Sequence, residues 1–247
     1  MSFAILVASI AGYVAGSLAN VVAWRLIRDV PRSPEPDEPL PDDDEPDPEA
    51  APGPDSDAPP PQRAEPATER KRLVKIGTVV VFALVAAVHH DDSTRLLLGL
   101  AMIAFLVPLT LVDLATRLLP NRLTLPAAVL AVVLGLLADG AGEPERLLAG
   151  VLAGGFFLVF ALAYPKGMGL GDVKLAAVLG LFLGREVAAA LLIGLAAGVV
   201  VGLVIMRRKG VAEGRKTAVA FGPFLAFGAV AALLAGEAMV DAYLAAL

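Results

Sequence analysis

The stretch that decides the fold is Gly167-Met168-Gly169-Leu170-Gly171-Asp172-Val173-Lys174, which opens an apolar run extending to residue 183. Similar runs recur along the whole chain, in which 57% of the 247 residues are hydrophobic and the mean hydropathy is +0.74. Continuous rather than alternating runs predict membrane-spanning helices and not a β-barrel. We therefore expect an all-α, polytopic integral membrane protein with about eight transmembrane helices. The apolar stretches cover residues 3–24, 74–88, 96–112, 123–138, 147–163, 173–183, 187–206 and 218–235, followed by a short tail.

Two of these stretches need a further interpretation. The run at 173–183 is shorter than the roughly 20 residues that cross a bilayer, so it is predicted to be tilted, re-entrant or extended by Gly171-Asp172 into a protein-lined cavity. The run at 3–24 has no basic residue before it. It is therefore predicted to be a retained helix and not a cleavable signal peptide.

One long segment interrupts the apolar pattern. Residues 31–69 hold 13 of the 25 acidic residues and 13 of the 19 prolines. Such a segment has almost nothing to bury, which predicts disorder. The chain is accordingly divided into an N-terminal transmembrane helix at 1–28, a disordered acidic and proline-rich cytoplasmic loop at 29–72, and a membrane-embedded domain at 73–247.

Lysine and arginine residues are distributed unevenly between alternate loops. With the N-terminus outside, the cytoplasmic loops hold 17 of the 20 basic residues, which is the pattern of the positive-inside rule. The opposite side keeps Arg95, Arg146 and Arg185. This assignment predicts that Asp113 and Asp172 lie on the same, cytoplasmic side.

These two acids are the candidate functional residues, because an ionisable group at membrane depth is costly to bury. Asp113 ends the run at 96–112, and Asp172 precedes the run at 173–183. Two neighbouring carboxylates do not easily ionise together, so one can activate a water molecule while the other donates a proton to a carbonyl group. The alternative for Asp172 alone is an N-cap of a helix that starts at Val173.

Gly169 and Gly171 flank Asp172 on its N-terminal side. Without side chains, they would let a substrate backbone approach and would permit a positive φ. Small residues also serve the close packing of transmembrane helices, so both interpretations stay open.

Four segments together resemble the type IV prepilin peptidases, a family of GxGD intramembrane aspartyl proteases. Gly169–Leu175 (GLGDVKL) is similar to the GDxKL form of the GxGD motif. Arg117–Asn121 (RLLPN) is similar to the Ile-Pro-Asn/Asp turn after the family's first aspartate, with Leu119 in place of isoleucine. Ala220–Ala226 (AFGPFLA) resembles the late FGPFLA segment, and Gly16–Leu26 (GSLANVVAWRL) resembles the GSFLNVVxxRL stretch.

The resemblance implies an aspartyl endopeptidase that removes short basic leaders from type IV prepilins and pseudopilins, at the cytoplasmic face of the bacterial inner membrane. By position, Asp113 and Asp172 would be the catalytic pair. The motifs also contain the supporting residues Gly169, Gly171, Lys174, Pro120, Asn121, Gly222 and Pro223. The partners would be prepilin substrates and the lipid bilayer, and we expect no nucleic acid.

The chain departs from the family in its first cytoplasmic loop. Many members carry two CxxC pairs there, associated with zinc, and N-methylate the new N-terminus with S-adenosylmethionine. This chain has no cysteine, so we expect no zinc and no other metal. The peptidase reaction needs no cofactor. S-adenosylmethionine is expected only if methylation is retained, which the missing pairs argue against.

Four other features have a functional or a structural interpretation. Lys174 either tunes the acids or docks a substrate carboxylate, or it anchors the chain at the membrane surface, which is also the interpretation of Lys166. Gly222-Pro223 is expected to break or kink the last helix, beside a substrate groove or for packing alone. The sequence at 89–92, two histidines and two aspartates, is interpreted as a solvated external turn and not as a metal site.

The alternative function is a membrane transporter or proton relay that uses the same two aspartates. It predicts inverted repeats with broken helices in both halves. The sequence contains no internal repeat, although Gly171-Asp172 has the composition of a helix break. An inactive assembly subunit is disfavoured by the intact motifs.

Overall fold

The computed structural model describes residues 2–28, 68–164, 168–210 and 219–245, which form eight α-helices and no β-strand. The helices are α1 (Ser2–Arg28), α2 (Thr68–Val88), α3 (Ser93–Thr116), α4 (Asn121–Asp139), α5 (Glu143–Ala163), α6 (Leu170–Leu183), α7 (Val187–Lys209) and α8 (Gly222–Ala245), with a 3₁₀ turn at Gly184–Glu186. The predicted all-α class is therefore confirmed.

The helices are long and apolar enough for a polytopic membrane protein, which confirms that prediction. Within the described ranges, six segments qualify as membrane spans: Phe3–Arg28, Ser93–Thr116, Asn121–Asp139, Glu143–Ala163, Leu170–Lys209 and Gly222–Ala242. The count differs from eight because α2 begins with several charged residues and because α6 and α7 form one continuous segment of 40 residues. Eight crossings stay a prediction.

Three predicted boundaries differ from the observed ones. The acidic loop at 29–72 lies largely outside the described residues, but its end, 68–72, is the start of α2, since Glu, Arg and Lys favour helix there. The short run at 173–183 begins earlier, at Leu170, and as a 14-residue helix it is about 21 Å long. The tail after residue 235 continues α8 as far as Ala245.

Antiparallel helix pairs pack closely where the residues are small. A side-chain carbon on Gly180 of α6 would lie 2.6 Å from the carbonyl oxygen of Ala149 in α5. One on Gly194 of α7 would lie 2.9 Å from the carbonyl oxygen of Phe224 in α8. Such contacts require glycine, and small residues let transmembrane backbones approach each other. The backbones of the pairs α5–α6 and α7–α8 therefore approach each other closely at these glycines.

The first motif, Gly16–Leu26, packs α1 against α2. Asn20 is buried, and its Nδ2 donates to the carbonyl oxygens of Gly16 at 2.9 Å and of Lys71 at 3.2 Å. Buried amides are stabilised when they find such partners. This stretch therefore has a structural role in the α1–α2 pair.

Helix α3 lies at the centre of the bundle and packs against α1, α2, α4, α6 and α8. Its C-terminal turn meets the start of α8 through Asp113 and Gly222, and its second turn lies near Leu233 of α8 through Gly99. We call the end that holds Asp113, Asp172 and Gly222 the aspartate end. The opposite end, which holds Arg95, Arg146 and Arg185, is the arginine end.

Candidate active site

Asp113 lies in the last turn of α3, and only 4% of its surface is exposed. The helix ends because Arg117 adopts a left-handed conformation, with φ 53° and ψ 28°. The Arg117 backbone N–H then donates to the Asp113 carbonyl oxygen at 2.7 Å, as left-handed residues do at helix C-termini. The chain turns away just after Asp113 and leaves this carboxylate inside the aspartate end.

The Asp113 carboxylate is bound by the N-terminus of α8. The backbone N–H of Gly222 donates to Asp113 Oδ2 at 2.8 Å. Gly222 is the first residue of α8, where N–H groups have no partner within the helix and the macrodipole favours negative charge. A side-chain carbon at position 222 would lie 2.6 Å from the same oxygen, so this contact requires glycine.

This arrangement corrects the interpretation of Gly222-Pro223 as a kink in the last helix. The backbone N–H groups of Phe224 and Leu225 donate to the Phe221 carbonyl oxygen at 3.0 and 3.3 Å, which is the first turn of α8. Proline is tolerated in a first turn because its missing N–H would have no helical partner. The two residues therefore begin α8 and do not bend it.

Asp172 is the third residue of α6 and is partly buried. The helix begins at Leu170 with Gly169 as its N-cap, so the interpretation of Asp172 as the N-cap of a helix starting at Val173 is wrong. Its carboxylate instead lies beside Gly169, with Oδ2 3.7 Å from the position that a side-chain carbon would take there, and it interacts electrostatically with the Gly169 backbone. An acid at the third helical position is placed to reach back toward the N-cap, as in a capping box.

The structure brings Asp113 and Asp172 together at the aspartate end. Their carboxylates interact electrostatically with each other, and the helices that carry them, α3 and α6, are in contact. Within the described part of the chain, neither carboxylate forms an ion pair with lysine or arginine. Such a pair of acids can exchange protons with a substrate, and its catalytic role stays a prediction.

The two glycines before Asp172 have different surroundings. A side-chain carbon on Gly171 would lie 2.8 Å from Leu119 Cβ, so this glycine lets α6 pack against the turn between α3 and α4. The space beside Gly169 is open apart from the Asp172 carboxylate, 3.7 Å from such a carbon. Neither glycine has a positive φ, so that part of their interpretation is wrong. Only Gly169 leaves room for a substrate backbone.

Lys174, Asn121 and Pro120 form a second link between the segments that carry the acids. Lys174 Nζ donates to Asn121 Oδ1 at 2.8 Å. Asn121 is the first residue of α4, and Pro120 is its N-cap with φ −72° and ψ 132°, in the φ range that proline imposes. Neither interpretation of Lys174 from the sequence included this bond. Lys166 lies outside the described residues.

His89 differs from the prediction of a solvated turn. Its side chain is buried at the arginine end, where Nε2 donates to the Leu233 carbonyl oxygen at 2.7 Å. His90 and Asp91 are exposed. The end of α2 packs against α8, and this packing buries the first histidine. In the described ranges, no group of three or more His, Asp or Glu side chains has the arrangement of a metal site.

Two cavities have volumes of about 500 and 620 Å³ and differ in the polarity of their linings. The cavity of about 500 Å³ between α1, α2, α3 and α4 is lined by apolar residues only, which offer no partner for a ribose, an adenine or a charged amino acid group. The polar cavity of about 620 Å³ lies at the arginine end, away from Asp113 and Asp172. Neither cavity fits S-adenosylmethionine beside the aspartates.

Comparison with protein families identifies the chain. The model of the type IV leader peptidase family matches residues 100–246, which is more than half of the sequence and includes Asp113 and Asp172. The chain belongs to the type IV leader peptidase family. The resemblance found in the sequence is thus confirmed. Helices α1 and α2 precede the residues that the family matches.

Several curated proteins named prepilin leader peptidase/N-methyltransferase are similar to this type IV leader peptidase family member. The one from Legionella pneumophila is 32% identical over 174 residues, which are 66% of this chain and 58% of the relative. The one from Neisseria gonorrhoeae is 39% identical over 168 residues, which are 63% and 54%. The chain therefore spans little more than half the length of these relatives. No solved structure matches it.

Proposed function

We propose that this member of the type IV leader peptidase family is a membrane aspartyl endopeptidase that cleaves short basic leader peptides from type IV prepilins or pseudopilins. The observation that carries the proposal is the pair Asp113 and Asp172, whose carboxylates interact with each other, with Asp113 bound by the Gly222 backbone N–H. The similar proteins are prepilin leader peptidase/N-methyltransferases, which suggests prepilins as the substrate class.

The two carboxyl groups would divide the proton transfers of peptide hydrolysis. One ionised carboxylate accepts a proton from a water molecule while the water oxygen bonds to the scissile carbonyl carbon. The other, protonated, carboxyl donates its proton to the carbonyl oxygen, and a tetrahedral diol forms. The carbon–nitrogen bond then breaks as the nitrogen takes a proton from the first group and a diol hydroxyl returns one to the second. The dyad regains its starting protonation.

The hydrogen bond from Gly222 occupies only one of the two carboxylate oxygens of Asp113. Oδ2 accepts the Gly222 N–H at 2.8 Å, which leaves Oδ1 for water or substrate. The Asp172 carboxylate lies beside Gly169 and interacts electrostatically with its backbone. A fixed donor orients the Asp113 carboxylate before substrate arrives, which lowers the cost of reaching the reactive geometry.

We propose that the aspartate end faces the cytoplasm of a bacterial inner membrane, with the N-terminus outside. Helices α3, α5 and α7 finish at the aspartate end, and α4, α6 and α8 begin there. This end therefore holds Arg117, Arg122, Lys174 and the basic residues 207–209 at the C-terminus of α7. The arginine end has fewer basic residues. This excess supports the orientation through the positive-inside rule.

The activity is tested by coexpression with a prepilin-like substrate that has a basic leader. We expect mass spectrometry to detect the shortened substrate with the wild-type chain and only the uncut substrate with Asp113→Ala or Asp172→Ala. The same spectra report an added methyl group at the new N-terminus. Uncut substrate in membranes that contain the folded wild-type chain would refute the proposed activity.

The orientation can be tested with single introduced cysteines, because the chain contains no native cysteine. Single cysteines at the exposed positions Arg122 and Arg185 would mark the two ends of the bundle. In whole cells, a membrane-impermeant maleimide should label Arg185→Cys and should label Arg122→Cys only after permeabilisation. The reverse pattern would place the aspartates outside.

A transporter or proton relay would lose function in the same aspartate variants. No observation favours it over the peptidase, and the family match favours proteolysis. Proteoliposome uptake that disappears in both variants, without substrate cleavage by the wild type, would instead support transport.

A further inference from the structure

We propose that Lys174 is a positioning residue which, through its hydrogen bond to Asn121, holds Asp113 and Asp172 at the separation that cleavage requires. The inference deepens the proposed peptidase function and rests on it. The bond joins two residues 53 positions apart in sequence, with Lys174 Nζ 2.8 Å from Asn121 Oδ1.

The position of Lys174 is not explained by the stability of its own helix. It is the fifth residue of α6, near the helix N-terminus, where the macrodipole favours anions and not cations. Its ammonium group is directed to a neutral amide oxygen. In the described ranges it forms no ion pair with either aspartate. Its action on the acids is therefore geometric.

The bond connects the two segments that carry the acids. Asp113 ends α3, and the short turn that follows leads directly to Asn121 at the start of α4. On the other side, Lys174 is two residues beyond Asp172. Movement of the first turn of α6 away from the start of α4 would therefore change the distance between the carboxylates.

A second contact shows that these segments are fitted to each other on both sides of Asp172. Gly171, just before it, packs against Leu119, with room for no side-chain carbon between them. Lys174, just after it, bonds to Asn121. The apolar contact resists approach of the segments, and the hydrogen bond resists their separation. Small misplacements of catalytic groups are costly, because reaction requires near-contact geometry.

The kinetic test compares the full-length variants Lys174→Met and Asn121→Leu in a quantitative leader-cleavage assay. Each should lower kcat by about tenfold and leave KM nearly unchanged, because the substrate is bound but the acids are displaced. The double variant should be no slower than the slower single variant. Asn121→Asp, which keeps an acceptor for the ammonium group, should retain most of the activity.

Arg122→Met is the matched control. It removes an exposed basic side chain next to Asn121 at the same end of the bundle, and it should keep the wild-type kcat. Multiplicative losses in the double variant, or a change confined to KM, would overturn the positioning role. So would an equal loss of kcat in Arg122→Met. Absence of cleavage by the wild type would instead refute the proposed function itself.

A rescue experiment tests the same inference through a separate readout. The chain has no native cysteine, so Asn121→Cys and Lys174→Cys would introduce its only two thiols. A short bifunctional thiol reagent should link them, as seen by the mass of the intact chain, and the link should restore much of the lost kcat. Efficient linking without recovery of kcat would overturn the proposal, as would failure to link the two positions.

Discussion

The two ends of the bundle hold their buried acids in different ways. At the arginine end, each buried glutamate has an arginine partner: Glu186 lies 3.1 Å from Arg95, and Glu143 lies 3.2 Å from Arg146. Arginine stays protonated under all ordinary conditions. An arginine beside a buried carboxylate compensates its charge, which suits a structural ion pair.

At the aspartate end, backbone groups lie beside the acids. The Gly222 N–H donates to Asp113, and the Asp172 carboxylate interacts electrostatically with the Gly169 backbone. These groups sit at helix N-termini, which stabilise negative charge without adding a fixed cation. The two ends therefore differ in the charge beside their acids: both buried glutamates have an arginine partner, whereas among the described residues neither aspartate forms an ion pair with a basic side chain.

The largest expected effect comes from the same chemical change made at the two ends. Asp113→Asn and Asp172→Asn should each lower the cleavage rate by about 10³-fold or more, because an amide cannot exchange the proton. Glu186→Gln makes the matching change at the arginine end and should leave the rate of the folded protein near that of the wild type. Rates are measured on detergent-purified protein with a prepilin substrate. Comparable losses at both ends would show that the arginine-paired glutamates matter for cleavage as much as the two aspartates do.

A smaller effect is expected when the backbone donor at the aspartate end is displaced. Gly222→Ala would put a carbon 2.6 Å from Asp113 Oδ2, so the start of α8 must shift and the cleavage rate should fall by about 10²-fold. Gly155→Ala is the matched control, since a side-chain carbon there meets no atom within 4 Å. Both variants are compared in the cleavage assay. Wild-type activity in Gly222→Ala would mean that this hydrogen bond does not orient the acid.

At the arginine end, the expected effect is on stability. Arg95 is paired with Glu186, Asp92 and Glu237. Arg95→Met would leave a buried glutamate unpaired and should cost about 2–3 kcal/mol of unfolding free energy, below the full range for buried pairs because Arg95 is partly exposed. The cleavage rate of the folded fraction should not change. The measurement is unfolding in mixed detergent micelles.

The control for that variant is Arg185→Met. Arg185 is half-exposed, and its ion pair with Asp241 is long, at 3.8 Å. Its removal should cost about 0–1 kcal/mol, as for other surface pairs. Equal costs for the two arginines would show that the buried network adds no stability beyond a surface contact.

The sequence predicted the helices well because apolar composition is a local property. The run at 96–112 lies inside α3, and the run at 187–206 lies inside α7. The acids could be singled out for a related reason, since a carboxylate next to an apolar run is unusual whatever the fold. The uneven distribution of basic residues then predicted that both acids lie on the same side of the membrane. None of these inferences requires knowledge of a particular side-chain contact.

Contacts between distant residues could not be predicted in this way. The Gly222 N–H reaches an oxygen 109 residues away, and His89 is buried by a carbonyl 144 residues away. Local rules interpreted Gly222-Pro223 as a kink, although the same residues are equally suited to begin a helix. Gly171 was likewise interpreted as leaving space for a substrate backbone, but Leu119 occupies that space. In each case the missing information was the identity of the packing partner.

The smallest expected effect concerns a hydroxyl group at the aspartate end. Thr124, in the first turn of α4, and Thr78 of α2 are equally buried. Thr78 donates to the Val74 carbonyl oxygen at 2.8 Å, whereas Thr124 Oγ1 has no hydrogen-bond partner among the described residues. Thr78→Val should therefore cost about 0.5–1.5 kcal/mol, and Thr124→Val should be neutral or stabilising by about 1 kcal/mol.

Unfolding in mixed micelles measures both changes, and the cleavage assay decides what the unpaired hydroxyl means. A buried donor without a partner weakens the fold, so its presence needs another reason. If Thr124→Val stabilises the protein and slows cleavage, the hydroxyl serves the reaction, and the aspartate end extends beyond its two acids. If the substitution destabilises the protein as much as Thr78→Val does, Thr124 has a structural partner, and the contrast between the two ends is confined to the carboxylates.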